Sequence, residues 1–575
     1  MAENSYDVVI CGGGLAGLTL ARQLKLEIPN LSILILDRLT RPLSEVTNKV
    51  GESTVYPGAC YLSKVLQLEN YFESDQYISK LGLRFFFGNG QDEFQNRPEI
   101  GLGEFQPTPH SYQINRGRLE NYLRELNSST GITILEGCTV KDVHLGDGSE
   151  SLHQITYTQG SNHSTHTCQT PWLIDGMGRR RFLQTKLGLR KANDPRFNAV
   201  WFRVEGKINV DDFVPVTKQS WHNRVPGEKR YLSTNHLCGQ GYWIWLIPLA
   251  SGHTSIGIVA QEKFHPLKLL CNYEQAYQWL GNHEPVLASR LQDKTPEDFM
   301  KMPKYSYSAT QIFSEQRWGC IGEAATFPDP FYSPGIDLIA YGNSLLTKLI
   351  KLERENNLNP KVIEEANLFY LAFSDSTASF IQEVNYTCLD QGGIMAMKFI
   401  WDIAAFLSSF APIIMNTPYL TWEEHRQVWY SAAMKFPSLG MAIGRLCLDW
   451  TNKSQGKLAY EFIDYGQLSF LKELRGRNLQ ANKTVDELIA DLERNYQRLE
   501  ELAQVIFLLA IEDTMPELRS QFSEPIWLNV QAMSLDPHCW EAEGLFKPTS
   551  QPRDLRPLQR DFEQFEMIKR IPVSI

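Results

Sequence analysis

Tyr6-Asp7-Val8-Val9-Ile10-Cys11-Gly12-Gly13-Gly14-Leu15-Ala16-Gly17 is the stretch that decides the fold. A β-branched apolar run over residues 6–11 ends at Gly12, Gly14 and Gly17 in G-x-G-x-x-G spacing, and residues 18–24 continue at helical period. Gly12 permits the tight turn, Gly14 lets backbone approach a pyrophosphate, and Gly17 lets helix and strand pack closely. The helix N-terminus adds oriented N–H groups and the positive end of a dipole. A second strand over residues 31–36 ends in Asp37, about twenty residues beyond the last glycine, where a carboxylate accepts from ribose hydroxyls. A Gly-rich turn alone predicts little; strand, glycines, helix, second strand and acid in this order predict a dinucleotide-binding βαβ unit.

The rest of the chain is large enough to build on that unit. At 575 residues it exceeds the size at which one core keeps growing, so two or three domains are expected. Its 43% hydrophobic and 21% charged residues are those of an ordinary globular protein, and a net charge of -10 argues against nucleic acid as a partner. The first residues lack a basic n-region, so no secretory signal is expected. Ten cysteines without any C-x-x-C fit reduced core thiols and a cytoplasmic location. The most apolar segment, residues 399–415, is interrupted by Asp402, Ser408, Ser409 and Pro412, which predicts a buried helix and no integral membrane segment.

Along the chain, Gly51-Glu52-Ser53-Thr54 suits a second wall of the nucleotide site, and Lys80 stands just before an aromatic, strand-like run. A lone lysine there is ordinarily a surface residue. Arg116 follows a strand end and opens a helix, well placed to meet phosphate. Residues 132–136, 139–143 and 152–157 read as strands of a small sheet, after which 172–175 forms a buried strand ending in Asp175 beside Gly176. Residues 198–205, 230–233, 241–248 and 254–260 are strand candidates of a second sheet. In 242–248, alternation puts Trp243, Trp245 and Ile247 on one face and Tyr242, Ile244 and Leu246 on the other, so both faces are apolar and buried. Core packing alone would explain both tryptophans. Residues 318–321 form another strand, leading to Gly322-Glu323, then a loop and a helix over 338–352, a place for backbone donors. Beyond residue 360 the pattern is helix after helix, with an amphipathic one near 484–508 and a wrapping tail at 536–557.

Three returns to one nucleotide domain, at Gly12, Asp175 and Glu323, resemble the FAD-dependent monooxygenase architecture. Within it, residues 6–350 resemble flavin-dependent halogenases of the tryptophan-halogenase family, through the G-x-G-x-x-G, Gly51-Glu52-Ser53, Lys80-x-Gly82-x-x-Phe85, Trp243-x-Trp245-x-Ile247-Pro248 and Phe327-x-x-Pro330-x-x-Ser333-x-Gly335. The resemblance implies an α/β fold: a Rossmann-like FAD domain interleaved with a β-sheet substrate domain, plus an α-helical C-terminal region. The expected boundaries are 1–190 for the first part of the FAD domain, 191–310 for the sheet, 311–355 for the return and 356–575 for the helical cover.

What the resemblance implies for function is FADH2- and O2-dependent chlorination or bromination of an aromatic in specialised metabolism. Reduced FAD would come from a separate flavin reductase, and halide oxidised to hypohalous acid would travel to Lys80 beside the substrate. Burial depresses an ammonium's pKa, so such a lysine both donates and reacts. Lys80, Trp243 and Trp245 would be the catalytic residues. FAD would be held by Gly12, Gly14, Ala16, Gly17, Asp37, Glu52, Ser53, Arg116, Val140, Asp175, Glu323, Pro330, Gly335 and Ile336, and halide by Ser333, Gly335 and Ile336.

Three positions depart from the family pattern. Glu323 replaces an Asp. Tyr332 stands where tryptophan-acting members have a Glu, which favours a self-activated phenol or pyrrole, free or carrier-bound, over indole. Pro334 lacks the N–H that the family uses on halide, a loss of about 1.5 to 3 kcal/mol. The alternative is therefore a related FAD-dependent monooxygenase or dehydrogenase that does not halogenate, and a third reading is a flavoprotein-like binding protein without turnover.

Overall fold

The structure is a computed structural model that describes residues 4–46, 49–107, 110–147, 151–160, 164–193, 196–522 and 527–563. Strand Val8–Cys11 sits at the centre of a five-stranded sheet, in the order Trp318–Cys320, Trp172–Asp175, Val8–Cys11, Ile33–Leu36, Thr133–Leu135. All its pairings are parallel. Parallel neighbours need crossovers, and helix Leu15–Glu27 supplies the first. Val8, Val9 and Ile10 are fully buried because both faces of such a sheet are covered. Cys11 pairs with Asp175, and Asp175 with Cys320, so the turns beginning at Gly12, Gly176 and Ile321 leave one sheet edge together. That is the carboxyl edge, where open α/β sheets place ligands.

The α/β reading stands, with corrections in detail. Thr133–Leu135 is the fifth parallel strand rather than part of the small sheet, which is formed by Cys138–His144, His153–Gln159 and Ser164–Thr170. An eight-stranded mixed sheet runs Pro296–Met302, Phe197–Glu205, His253–Gln261, Tyr242–Pro248, Thr234–Gly239, Leu83–Phe86, Glu99–Gly101, Phe462–Asp464. It takes strands from the segments assigned to the FAD domain and to the helical cover, so the boundaries at 190 and 355 do not isolate it. Residues 230–233 are not a strand. Lys229–Leu232 is a 3-10 turn that aims Arg230 inward, between Glu99 and Asp211 and 3.6 Å above the Trp221 ring.

Tyr242–Pro248 lies in the middle of this sheet, and its two faces feed different cores, as the alternation predicts. Trp243, Trp245 and Ile247 pack toward the parallel sheet and the helices, while Tyr242, Ile244 and Leu246 pack with Phe202 and Leu280. Beyond residue 335 the helices Gly335–Arg354, Pro360–Ser379, Gly392–Ser408, Phe410–Asn416, Trp422–Ser431 and Phe436–Lys453 build the cover. The thirty-residue helix Val485–Thr514 starts at a capping box formed by Thr484 and Glu487. The run Gly392–Tyr419 is long and apolar enough to cross a membrane by length and composition, but 72% of its most apolar window is buried inside the protein.

Candidate active site

The Gly-rich turn has the geometry of an anion cradle. Gly12 has φ +115, and a Cβ there would lie 2.2 Å from the Gly176 carbonyl oxygen; a Cβ on Gly17 would lie 2.1 Å from the Gly12 carbonyl oxygen. A Cβ on Gly14 would meet nothing within 4 Å, and no side chain caps helix Leu15–Glu27. Its first-turn N–H groups, which have no partners within the helix, therefore face open space. Ala16 supports the cradle from behind, lying 2.8 Å from where a Cβ of Gly322 would stand. This arrangement fits the pyrophosphate of a dinucleotide.

Several expected ligand side chains are committed elsewhere. Asp37 is buried at the strand end, where Arg124 binds it and also donates to the Gly13 carbonyl. Asp175 accepts from the Met177 and Leu183 N–H groups, at 3.0 and 2.8 Å, so its carboxylate holds the turn rather than reaching outward. Burial nonetheless pushes its pKa up to about 6. Glu52 forms a buried ion pair with Arg203 at 2.6 Å. Arg116 donates to the Val50 carbonyl and to Glu120 at 2.7 Å, closing a local loop instead of extending its fork into the open edge. Val140 gives its carbonyl to Arg180 at 2.7 Å, and Pro330 gives its own to the Ser333 N–H at 3.0 Å. Glu323 is half-buried at the same sheet edge, and the surrounding protein pushes its pKa up.

Lys80 is 4% exposed at the end of strand Tyr77–Lys80, so the surface-lysine reading fails. Its Nζ donates to Ser53 Oγ and to the Thr54 carbonyl, both at 2.7 Å. Ser53 Oγ also meets Thr234 Oγ1 at 2.8 Å and accepts from Ser333 Oγ at 3.1 Å. One hydroxyl thus joins the amine to the loop before helix Gly335–Arg354. Burial pushes the Lys80 pKa down to about 7, with Asp337 pulling it upward. Asp337, fully buried in that helix's first turn, is pushed up to about 8 by burial, against the Gly58 N–H and Lys80. Its Oδ1 accepts from Gly58 at 2.7 Å, while Oδ2 is buried without a hydrogen-bond partner.

Tyr332 and Ser333 both occupy the left-handed region, at φ +67 and +62, a strained pair for residues with side chains. This bend presents Pro334 as the helix N-cap, with Gly335 and Ile336 as the first helical residues. Their N–H groups lack helical acceptors and can serve an anion, whereas Pro334 offers none. Tyr332 donates to Asp402 at 3.0 Å, and Asn385 and Lys398 complete the cluster.

Lys80, Asp337, Tyr332, Asp402 and Arg475 line one cavity of about 240 Å³, walled otherwise mostly by aromatic and aliphatic side chains, many of them from the helical cover. Trp243 and Trp245 are not among its lining residues, and the structure gives them a packing role. Trp243 Nε1 donates to Tyr386 at 2.7 Å; Tyr386 and Tyr305 hold Asp329, so the indole braces the loop carrying Ser333. Trp245 Nε1 donates to Ser255 at 3.2 Å. Asp337 and Asp402 were given no site role by the sequence reading, although an acid three residues into an otherwise apolar helix, Gly335-Ile336-Asp337-Leu338, was a usable signal.

Comparison with known proteins agrees with this geometry. The flavin-dependent halogenase chlA of Dictyostelium discoideum is 28% identical over 388 residues, 62% of each chain. The 1H-pyrrole-2-carbonyl peptidyl-carrier-protein chlorinase of Pseudomonas fluorescens is 24% identical over 360 residues, 59% of this chain and 74% of its own. The match thus spans less than two thirds of the Dictyostelium relative. The crystal structure of the halogenase PltM has the same fold, with a TM-score of 0.61 at 16% identity, covering 87% of this chain and 97% of its own. The family model described as Tryptophan halogenase matches residues 90–388. On that match, over more than half its length, the chain belongs to the tryptophan halogenase family.

Proposed function

We propose that the protein is an FAD-dependent halogenase that chlorinates or brominates an electron-rich, phenolic substrate, free or carrier-bound, with flavin reduced by a separate reductase. One observation carries the reading: the Lys80 amine is buried in the wall of an apolar cavity and tied through Ser53 to Ser333 at a helix N-terminus. When bound, reduced FAD supplies the O2 activation that raises halide to hypohalous acid.

The chain's own residues do the rest. The first-turn N–H groups behind Gly14 hold the pyrophosphate. The Gly335 and Ile336 N–H groups hold halide, joined by Ser333 Oγ when its hydroxyl turns from Ser53 toward the anion. Lys80 Nζ holds the hypohalous acid or takes its halogen; a carbon–halogen bond then forms, the ring loses a proton, and the oxygen leaves as water. With its pKa near 7, Lys80 offers both ammonium and amine at neutral pH. The phenolic assignment is supported by Tyr332 in place of a glutamate, because a phenol activates its own ring.

The test combines purified protein, a flavin reductase, NADH, O2, and bromide or chloride with a panel of phenols and carrier-bound aromatics. A halide-dependent product with the halogen isotope pattern is expected; an oxygenated product equally abundant without halide overturns the reading. Pro334 favours that second outcome, a related flavin oxygenase, because it removes one N–H from the halide site.

A further inference from the structure

The cavity beside Lys80 is unevenly built. Its polar groups include Lys80, Asp337, Tyr332 and Asp402, from the strand, the strained loop and two helix positions, and Arg475, whose guanidinium donates to Gln106, whereas Phe373, Phe380, Trp401, Phe406, Phe410 and Ile413 form the chamber within the helical cover. Two of the polar side chains in that chamber are spent on their own helices: Thr377 Oγ1 donates to the Phe373 carbonyl and Ser409 Oγ to the Ala405 carbonyl. Phe373 and Phe380 are two turns apart, so the apolar wall extends about 10 Å along that helix. The volume of about 240 Å³ exceeds the roughly 150 Å³ that suffices for a benzene ring. At one side the lining reaches Met434, which is 46% exposed.

We infer that the cavity takes an amphiphilic aromatic substrate, its oxygen-bearing ring at the Lys80 end and an apolar chain of several carbons in the chamber between helices Pro360–Ser379, Gly392–Ser408 and Phe436–Lys453. A small polar phenol would leave this chamber as wetted hydrocarbon, whereas each buried methylene of a chain strengthens binding about fourfold. A polar carrier tether laid against Phe373, Phe380, Phe406 and Phe410 would meet apolar surface only. The inference rests on the halogenase reading only for what happens to the ring; occupancy of the chamber is independent of turnover.

The test therefore reads binding. 5-Alkylresorcinols with chains of one to seven carbons are titrated into the full-length protein, following quenching of the lining residues Trp401 and Trp429. The dissociation constant is expected to fall about fourfold per methylene until the chamber is full. Ala405→Trp and Ala372→Phe, which fill it from two helices, are expected to flatten that dependence. Chain-length independence in the wild type overturns the inference, as does an unchanged slope in a folded filled variant. Tight chain-dependent binding without any halogenated product would leave this inference standing and remove the halogenase reading instead.

Discussion

Lys80 Nζ lies 2.7 Å from Ser53 Oγ, and through that hydroxyl the amine is coupled to Ser333, 253 positions later in the chain. A strand end and a strained helix entry are thereby held at one point, because the amine and the Ser333 hydroxyl both donate to the same Ser53 oxygen.

Replacing the amine should remove halogenation while sparing the fold. Lys80→Met keeps the buried volume and deletes a group whose burial is costly, so thermal stability is expected to hold while halogenated product falls at least about a hundredfold. Mass spectrometry of the product, with calorimetry on the same sample, checks both halves. Undiminished halogenation would take Lys80 out of the reaction.

The pH dependence follows from the Lys80 and Asp337 shifts. If the neutral amine accepts the halogen, kcat/KM rises as pH passes about 7, the value to which burial lowers Lys80, and levels above it. Asp337 raises the lysine's pKa, so Asp337→Asn should move this limb to lower pH while its amide oxygen keeps the Gly58 hydrogen bond. A rate that falls through the same range would assign the ammonium, as hydrogen-bond donor, to the reaction.

Pro334→Ala restores a backbone N–H where the loop enters the helix, and φ -77 with ψ -2 at that position suits alanine without strain. One added hydrogen bond to an ion should lower the halide KM by about ten to a hundredfold. Steady-state rates against bromide and chloride concentration decide it; an unchanged KM would place the halide elsewhere.

The two glycines of the cradle should separate folding from binding. Gly17→Ala forces a Cβ into the Gly12 carbonyl and is expected to destabilise the domain, whereas Gly14→Leu has open space and should melt like the wild type. The leucine would fill the space that the pyrophosphate needs, weakening FAD binding by more than about tenfold. Flavin fluorescence titration and thermal melts together test the pair.

Trp243→Phe leaves the Tyr386 hydroxyl without its buried donor and should cost about 1 to 3 kcal/mol of stability. Halogenation should persist at a reduced rate, because the indole braces the Ser333 loop and does not line the cavity. Denaturant unfolding and product yield measure the two effects; loss of all product with native stability would restore a direct role for the indole.

Residue identities were legible in the sequence where the physics is local, and directions were not. The glycine turn, the alternating tryptophan strand and the buried apolar character of residues 399–415 depend on neighbours a few positions away, although the one helix expected there is broken at Ser409 into Gly392–Ser408 and Phe410–Asn416. Glu52, Asp175 and Arg116 were read as residues of the nucleotide site, yet a carboxylate or guanidinium takes whichever partner arrives closest. Those partners proved to be Arg203, the Leu183 N–H and the Val50 carbonyl.

By itself the sequence determined the dinucleotide unit and its returns at Asp175 and Glu323, because turn chemistry, periodicity and motif spacing act over short stretches, while Lys80 was singled out only by the resemblance to flavin-dependent halogenases. Only the tertiary structure decided that Lys80 is buried, that Ser53 links it to Ser333, and that Asp337 and Asp402 share its cavity. Those contacts join segments separated by tens to hundreds of residues, and the burial that shifts a pKa exists only once the helical cover closes over the sheet.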